Sequence, residues 1–305
     1  MNRFSLYFSN HNLSFCKGNE CLVCESNNLE KLFLFYSRYL PFLFKKIAIC
    51  RECGHIQLKK MYKNEEYEKI NDKYFKSMYL QEGKQNKSNS DKKTRKLKQG
   101  ISCYLKENSI VLDVGAGEAW ALNYFRSRKC HYYAIEPVKR LSDSIQKRGG
   151  KLIGNSIYAD LSKYTHKFDL IIFRHTLEHL LSPKEALLIL KDLLNENGYI
   201  YLALPNAAAP SIKKGFITSY IRPIHVSYFC EGNVIRLANS IGLKPIYMNT
   251  SGEISILLTH GTNNELCYKN YYYSQKEAFK KTRNIALKKD MIYIVKDIAR
   301  LIYFH

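Results

Sequence analysis

Short apolar runs alternate with helical patterns through the middle of the chain. The runs span residues 110–114, 131–135, 151–153, 170–173 and 199–204. A strand that is buried on both faces of a parallel sheet reads as such a continuous apolar run. Helical patterns cover about 97–105, 138–147, 183–194 and 231–240, so the alternation predicts an α/β domain.

The first run leads into a glycine turn. Ile110–Val114 predicts a buried strand, and a helix is expected to begin at about Glu118. Gly115 and Gly117 let the backbone turn sharply and leave no Cβ between the main chain and a ligand. The first residues of the following helix present unpaired N–H groups at the same place. The turn therefore predicts a ligand-binding corner.

Two acidic residues indicate which ligand the corner takes. Asp113 stands two residues before Gly115, where it would repel a phosphate but could bind an ammonium group. Glu136 ends the second run, about twenty residues after the glycine turn. An acidic side chain at this distance binds ribose hydroxyls in nucleotide-binding folds. Trp120 occupies the position of the third glycine of a dinucleotide fingerprint. A ligand with a ribose and a cationic amino acid but no phosphate fits this set, and S-adenosylmethionine is such a ligand.

With these motifs the chain resembles the class I S-adenosylmethionine-dependent methyltransferases. The matching stretches are 111–117, 134–137, 168–179 and 197–206, in the family's order and spacing. The resemblance implies a Rossmann-like, seven-stranded, mostly parallel sheet with one reversed strand. The cofactor-binding residues that it implies are Asp113, Gly115, Gly117, Glu136, Ser156, Ile157, Tyr158 and Arg174.

Four of the nine cysteines form two Cys-x-x-Cys pairs, Cys21/Cys24 and Cys50/Cys53. Each pair aims two thiolates at one ion, and two pairs complete a tetrahedral zinc site. Because four thiolates leave no open position, the site is expected to be structural. The intervening apolar residues 32–44 could form a hairpin that packs on the pairs, and His55 is expected to be a neighbour rather than a ligand. The alternative is a set of four buried free cysteines.

The cysteine pairs extend the resemblance to a subset of these methyltransferases that carries an N-terminal zinc-binding module. This subset is similar to the sugar C-methyltransferases, in which the module and a following segment, here 65–75, help to cover the substrate. The expected organisation is a lead-in at 1–18, the zinc module and following segment at 19–80, a linker at 81–99, the methyltransferase domain at 100–260 and a basic helical extension at 261–305. The Lys-rich residues 82–98 could equally form an exposed helix face.

Residues 206–230 are too many for a plain connection between two elements. In the sugar C-methyltransferases a histidine and a nearby tyrosine of such a stretch serve a deprotonation step, which here implies His225 and Tyr228. An unperturbed imidazole can accept a proton at neutral pH. The alternative for His225 is a loop-bracing role, and His175 is either a third catalytic candidate or structural. Lys213 and Arg222 could meet a diphosphate.

The formal net charge is +21, but the lysines are spread over nearly every segment rather than along one stripe. A composition bias explains this distribution, and binding to RNA, to anionic substrates or to a membrane surface remains the alternative. We find neither an apolar run of about 18 residues nor the design of a signal peptide, so the expected location is cytoplasmic. Residues 261–305 are expected to pack on the body or on a second subunit, with peripheral membrane contact as the alternative.

The expected function is transfer of a methyl group from S-adenosylmethionine to a small molecule, with a nucleotide-linked sugar or a polysaccharide or natural-product precursor as the favoured acceptor. A structural Zn²⁺ is the second expected cofactor. One alternative is an RNA methyltransferase, which the charge suggests. The other is a non-catalytic scaffold, since Ala119 and Trp120 could crowd the methionine end of the cofactor.

Overall fold

A seven-stranded sheet forms the centre of the protein in the computed structural model, which describes residues 15–17, 20–36, 44–62, 67, 71, 87–210, 221, 224–262 and 269–286. Its strands are β6 (Ile110–Val114), β7 (His131–Ile135), β8 (Lys151–Gly154), β9 (Phe168–Arg174), β10 (Leu194–Pro205), β12 (Leu243–Asn249) and β13 (Glu253–His260). The strand order is β12-β13-β10-β9-β6-β7-β8. The sheet is parallel except at β13, which pairs antiparallel with both β10 and β12. The Rossmann-like class and its one reversed strand are therefore confirmed.

The position of β6 in this order defines a crevice. This strand pairs in parallel with β7 on one side and β9 on the other. The chain thus leaves β6 toward one edge of the sheet and later returns to the opposite side of it. Ligands of open α/β sheets bind outside the carboxyl ends of the strands at such a switch point.

Five helices with both ends described accompany the strands. They are α1 (Lys87–Ile101), α2 (Leu122–Ser127), α3 (Lys139–Lys147), α4 (Pro183–Leu193) and α5 (Glu231–Ser240), and residues 272–286 form a further helix, α6. The Lys-rich residues from 87 onward belong to α1, which is the helical alternative for this stretch. The helix after the glycine turn begins at Leu122 and not at Glu118. Ala119 has a φ of 45°, a left-handed conformation that cannot continue a right-handed helix.

Two hydrophobic clusters cover the sheet, one on each face. One contains Leu112, Phe173 and Leu202 with α4 and α5, and the other contains Val111, Ile172 and Ala203 with α1 and α2. Successive side chains of a strand point to opposite faces, so nearly every position in these strands is buried on one side or the other. This explains why the sequence shows continuous apolar runs.

A second sheet is built mainly from the cysteine-containing segment. That segment supplies β2 (Leu29–Tyr36), β3 (Phe44–Cys50) and β4 (Ile56–Leu58), and the stretch after β10 supplies β11 (Ser227–Tyr228). The strand order is β11-β4-β3-β2, and all pairs are antiparallel. β2 and β3 pair with each other, but over wider bounds than the hairpin expected at 32–44. A further short pair joins β1 (Phe15–Lys17) and β5 (Lys60–Tyr62).

The helix α6 packs on this second sheet. Tyr272, Phe279 and Ala286 belong to the same buried cluster as Ile47 and Tyr228. The described part of the C-terminal segment therefore packs on the body of the protein. Among the described residues, no helix is both long and apolar enough to cross a membrane.

Candidate functional site

The glycine turn lies at the carboxyl end of β6 in a left-handed conformation. Gly115 has a φ of 69° and Gly117 a φ of 56°. A Cβ on Gly115 would lie 2.5 Å from Oγ1 of Thr176, which comes from the loop after β9. Only glycine satisfies both the backbone angle and the close approach of this neighbouring loop.

Glu136 lies directly against the glycine turn. Its Oε2 accepts a hydrogen bond of 2.7 Å from the N–H of Gly117, and its Oε1 accepts one of 2.8 Å from the N–H of Val138. Burial raises the pKa of this carboxyl, although the two N–H donors act in the opposite direction. Two oxygens carry about four lone-pair sites, so the carboxylate retains acceptor capacity for hydroxyl groups.

Asp113 lies on β6 with only 3% of its surface exposed. Its Oδ2 accepts a hydrogen bond of 2.5 Å from the hydroxyl group of Tyr132 on β7. Burial raises the pKa of Asp113 to about 7. A carboxyl in this state is held near its midpoint at neutral pH, so a bound cation would draw it into the ionised form.

The residues expected to face the adenine follow β8. Ser156 forms a local turn in which its Oγ accepts a hydrogen bond of 3.2 Å from the N–H of Tyr158. Ile157 is buried, whereas Tyr158 is 45% exposed. The N–H of Glu136 donates to the carbonyl of Gly154 at 3.2 Å, which ties the start of this turn to the same sheet edge.

Arg174 and His175 share one acidic partner, Glu253. The Nη2 of Arg174 lies 2.8 Å from Oε2 of Glu253, and so does Nε2 of His175. Burial would raise the pKa of Glu253, but these two partners outweigh burial and lower it to about 2. Arg174 also lies over the ring of Trp120, 5.8 Å from its centroid. Glu253 is absent from the sequence-based prediction, because no pattern links the start of β13 to residues 79 and 78 positions earlier.

His225 and Tyr228 are both buried, each 4% exposed. The segment that holds them is fixed to the loop after β9, where the N–H of Val226 donates to the carbonyl of Glu178 at 2.9 Å. The ring of His225 meets that of His179 edge to face at 4.9 Å between centroids. The carboxylate of Glu178 completes this group, in which one ligand atom from each of Glu178, His179 and His225 lies within 4.8 Å of the others.

Glu178 is the buried charge of this group. It is 2% exposed, and burial would raise its pKa, but His179 and His175 outweigh burial and lower it. Nδ1 of His175 approaches Oε1 of Glu178 to 3.3 Å. His175 therefore lies between two carboxylates, those of Glu178 and Glu253. The structure thus brings both His175 and His225 to one buried carboxylate.

The four predicted cysteines form one cluster. Sγ of Cys21 lies 3.5 Å from Sγ of Cys53, and Sγ of Cys24 lies 3.5 Å from Sγ of Cys50. Four sulfurs bound tetrahedrally at about 2.3 Å from a zinc ion lie about 3.8 Å apart, so the set fits the metal. All four sulfurs lie within 4.8 Å of one another, and His55 is not part of the group.

The two cysteine pairs have matching turns. The N–H of Glu25 donates to the carbonyl of Cys21 at 2.9 Å, and that of Gly54 donates to the carbonyl of Cys50 at 2.8 Å. Glu25 and Gly54 are both left-handed, with φ of 61° and 73°. At Gly54 a Cβ would also lie 2.4 Å from the carbonyl carbon of Tyr271, so the glycine admits the chain that leads into α6.

Several predicted residues lie outside the described part of the chain. They are the phosphate-binding candidates Lys213 and Arg222, most of the lead-in 1–18, most of the segment 65–75, and the C-terminal residues from 287 onward.

The profile of a methyltransferase-domain family matches residues 87–247, which is more than half of the 305-residue chain. The matched range contains the whole glycine turn, Glu136, the loop after β9 and β11. The chain belongs to this family of methyltransferase domains. It is an S-adenosylmethionine-dependent methyltransferase.

Many solved structures are similar to this one. A Burkholderia thailandensis 1,6-didemethyltoxoflavin-N1-methyltransferase, with bound 1,6-didemethyltoxoflavin and S-adenosylhomocysteine, aligns with a TM-score of 0.51 and 15% identity over 72% of this chain and 96% of its own. A methyltransferase from Aquifex aeolicus aligns with a TM-score of 0.44 and 19% identity, covering 57% of this chain and 98% of its own. The first of these likenesses supports the fold. A search of curated protein sequences found no match.

Proposed function

We propose that the protein transfers the methyl group of S-adenosylmethionine to a small-molecule acceptor, with a nucleotide-linked sugar as the favoured class. The observation that carries this proposal is the meeting of two different walls at one sheet edge. One wall, the cofactor wall, is the glycine turn with its two buried carboxylates, Asp113 and Glu136. The other, the acceptor wall, is the buried group around His225, which the cysteine-containing sheet covers through β11.

The cofactor wall suits a nucleoside with a cationic amino acid. When bound, S-adenosylmethionine supplies an electrophilic methyl group and a neutral thioether as leaving group. We assign the ammonium group to Asp113 and the ribose hydroxyls to Glu136, whose remaining lone pairs accept them. The turn of Ser156, Ile157 and Tyr158 is the adenine contact, and Arg174, held by Glu253, borders the site at the end of β9.

The acceptor wall suits removal of a proton. We assign this step to His225, with Tyr228 as a hydrogen-bonding partner of the acceptor. A proton taken up by His225 would be stabilised by the nearby carboxylate of Glu178, whose lowered pKa keeps it ionised. His175 is the second candidate, although its two carboxylate contacts favour a charged, bracing imidazole over a proton acceptor.

The burial of His225 supports a small acceptor over RNA. The β4–β11 pairing begins two residues after His225, which is 4% exposed. An RNA base would have to reach this buried group. The four-thiol site is closed and structural in character, and metal-binding rather than disulfide-bonded cysteines would favour a cytoplasmic location.

The scaffold alternative rests on crowding by Trp120, and the packing of that residue argues against it. The indole is only partly exposed because it packs against the hydrophobic cluster of β6, α1 and α2. It also lies under the guanidinium of Arg174. Both contacts hold the ring against the body of the protein, and we therefore propose that the glycine turn still admits the cofactor.

Two measurements test the proposal. Calorimetry with S-adenosylmethionine is expected to show one site per chain. The protein is then incubated with methyl-labelled donor in parallel reactions. One set contains a panel of nucleotide-linked deoxysugars, one contains total RNA, and one contains no acceptor. Label is expected in a sugar nucleotide, and His225→Ala should remove it while cofactor binding stays. Labelled RNA would favour the alternative function, and absence of cofactor binding would refute the assignment.

A further inference from the structure

The segment that carries His225 is held on one side by the methyltransferase domain. The loop after β9 contacts it twice. The carbonyl of Glu178 accepts from the N–H of Val226 at 2.9 Å, and Nδ1 of His179 lies 3.2 Å from the carbonyl of Ile224. Both residues that flank His225 are therefore fixed to this loop.

The cysteine-containing sheet holds the same segment on the other side. The N–H of Leu58, the last residue of β4, donates to the carbonyl of Val226 at 2.9 Å, and β4 pairs with β11 directly after it. The hydroxyl group of Tyr67 donates to the carbonyl of Ile224 at 2.5 Å. His225 therefore lies where the methyltransferase domain and the cysteine-containing sheet meet.

A buried histidine connects this contact to the cysteine cluster. His55 is two residues after Cys53, and its Nε2 lies 3.3 Å from Oγ of Ser227. The ring of His55 also packs on Phe229 at 4.8 Å between centroids. His55 is 0% exposed and Ser227 is 1% exposed, so this hydrogen bond has no competition from water.

Two buried amide side chains make further connections. Asn233, in the first turn of α5, donates through Nδ2 to the carbonyl of Cys53 at 2.9 Å. Gln57 of β4 accepts the N–H of Leu22 and donates to the carbonyl of Glu20, both at 2.8 Å. One cysteine pair is thus tied to the helix that follows β11, and the other is tied to the strand that pairs with β11.

These contacts depend on the turns of the cysteine pairs. The strand β4 has only three residues, and it begins three residues after Cys53. Four sulfurs held at one ion would fix both turns at once, because structural zinc sites contribute folding free energy directly. We therefore expect β4, and with it β11, to be well ordered only when the metal is bound.

We propose that the metal-loaded cysteine module positions His225 through the β4–β11 pairing and the His55–Ser227 hydrogen bond, so that the metal controls the acceptor wall and leaves the cofactor wall unchanged. The proposal rests on the proposed function only in the role that it gives His225. Ser227 and His55 are positioning residues, because they act through the backbone of the His225 segment.

Backbone hydrogen exchange tests the proposal without an acceptor. The full chain is compared as purified with metal and after removal of the metal by a chelator. Exchange at the amides of Val226 and Leu58 is expected to rise by at least roughly tenfold, because their local opening becomes easier. The amides of Gly117 and Val138, which bind Glu136, should change less than about twofold, and the affinity for S-adenosylmethionine should stay within about threefold.

A variant separates positioning from folding of the module. Ser227→Ala is expected to keep the metal and the affinity for S-adenosylmethionine but to speed exchange at Val226, and Ser227→Thr, which keeps the hydroxyl group, should restore slow exchange. The matched control is Asn28→Ala, which removes an exposed hydrogen bond to Glu52 in the same module. Where an acceptor is methylated, Ser227→Ala should lower kcat and leave the KM for the methyl donor unchanged.

Three results would overturn the proposal. The first is a purified protein that holds no metal. The second is unchanged exchange at Val226 after metal removal. The third is equal loosening of both walls, which would indicate global unfolding. Each can occur while methyl transfer is intact, and loss of methyl transfer with the expected exchange pattern would refute the proposed function alone.

Discussion

The two walls of the site are built in different ways. The cofactor wall uses residues that lie close together in the sequence, since Asp113 and Glu136 are separated by 23 positions and meet through two neighbouring strands. The acceptor wall joins distant segments. His55 and Ser227 are 172 positions apart. Residues of α6 pack in the hydrophobic cluster that contains Tyr228.

This difference determines which kind of substitution disrupts each wall. The cofactor wall depends on backbone conformation, because glycines and N–H groups form most of it. The acceptor wall depends on packing and strand pairing between segments that meet only in the folded chain. The loop after β9 contacts both walls, so a change away from that loop should affect one wall and leave the other largely intact, because distant sites contribute almost additively.

The largest expected effect on stability comes from Phe279→Ala in α6. The ring is 1% exposed and belongs to the cluster that contains Tyr228. Truncation of a buried phenylalanine costs about 3–5 kcal/mol of unfolding free energy. Urea denaturation should show this loss, while calorimetry at low temperature should show unchanged affinity for S-adenosylmethionine. Lys276→Ala on the same helix is the control, since it removes a partly exposed ion pair with Glu30 but no buried ring.

Gly115→Ala is expected mainly to weaken the affinity for S-adenosylmethionine, whereas Phe279→Ala is expected mainly to lower the stability. The left-handed backbone costs an alanine about 1–2 kcal/mol, and the approach to Thr176 adds a packing penalty of about 1–3 kcal/mol. If the turn relieves this strain by leaving its cofactor-binding conformation, restoring that conformation costs the sum of about 2–5 kcal/mol, a loss of affinity for S-adenosylmethionine of roughly 30- to 4,000-fold. Gly149→Ala is the matched control, because Gly149 has a φ of 85° but a Cβ there would meet no atom within 4 Å. Equal loss of affinity in both variants would show that strain alone matters.

Asp113→Asn should weaken the affinity for S-adenosylmethionine by about 10- to 100-fold. This loss corresponds to the free energy of one hydrogen bond to a charged group. Because burial raises the pKa of Asp113 to about 7, wild-type affinity should rise from about pH 6 to pH 8 as the carboxyl ionises. This slope should vanish in the variant. Asp143→Asn, in an exposed pair with Lys139, is the control.

The raised pKa of Asp113 also predicts how the stability of the unliganded protein depends on pH. A carboxyl whose folded pKa is raised contributes stability below its unfolded pKa, near 3.9, and loses it as the pH rises through about 7. Asp113→Asn should therefore be more stable than the wild type at about pH 8. A lower thermal midpoint of the variant at that pH would contradict the burial of this carboxyl.

Much of the methyltransferase fold could be predicted from the sequence. The strand Ile110–Val114 and the helix Glu231–Ser240 have the predicted bounds, because apolar runs and helical spacing report burial directly. The start of α2 could not be predicted. Ala119 adopts a left-handed backbone that alanine rarely takes, so the helix begins four residues later than expected.

The acceptor wall was less predictable for a different reason. The sequence identified the four cysteines by spacing, but nothing in the spacing indicates that β4 pairs with Ser227 or that Asn233 donates to Cys53. Glu253 was missed because its partners, Arg174 and His175, lie at the end of another strand and directly after it. Contacts between distant segments depend on the order of strands in the folded sheet, which local periodicity does not encode.

His175→Gln should have the smallest effect of the series and acts where the two walls meet. Burial would lower the pKa of His175, but Glu178 and Glu253 outweigh burial and the repulsion from Arg174, so the pKa is raised. The resulting stability is complete below the unfolded pKa of about 6.5 and is lost as the pH rises through the folded value. The difference in thermal midpoint between wild type and His175→Gln should therefore be larger at about pH 5.5 than at about pH 8.5. An equal difference at both pH values would contradict the stabilisation of a charged His175 by its two carboxylate partners.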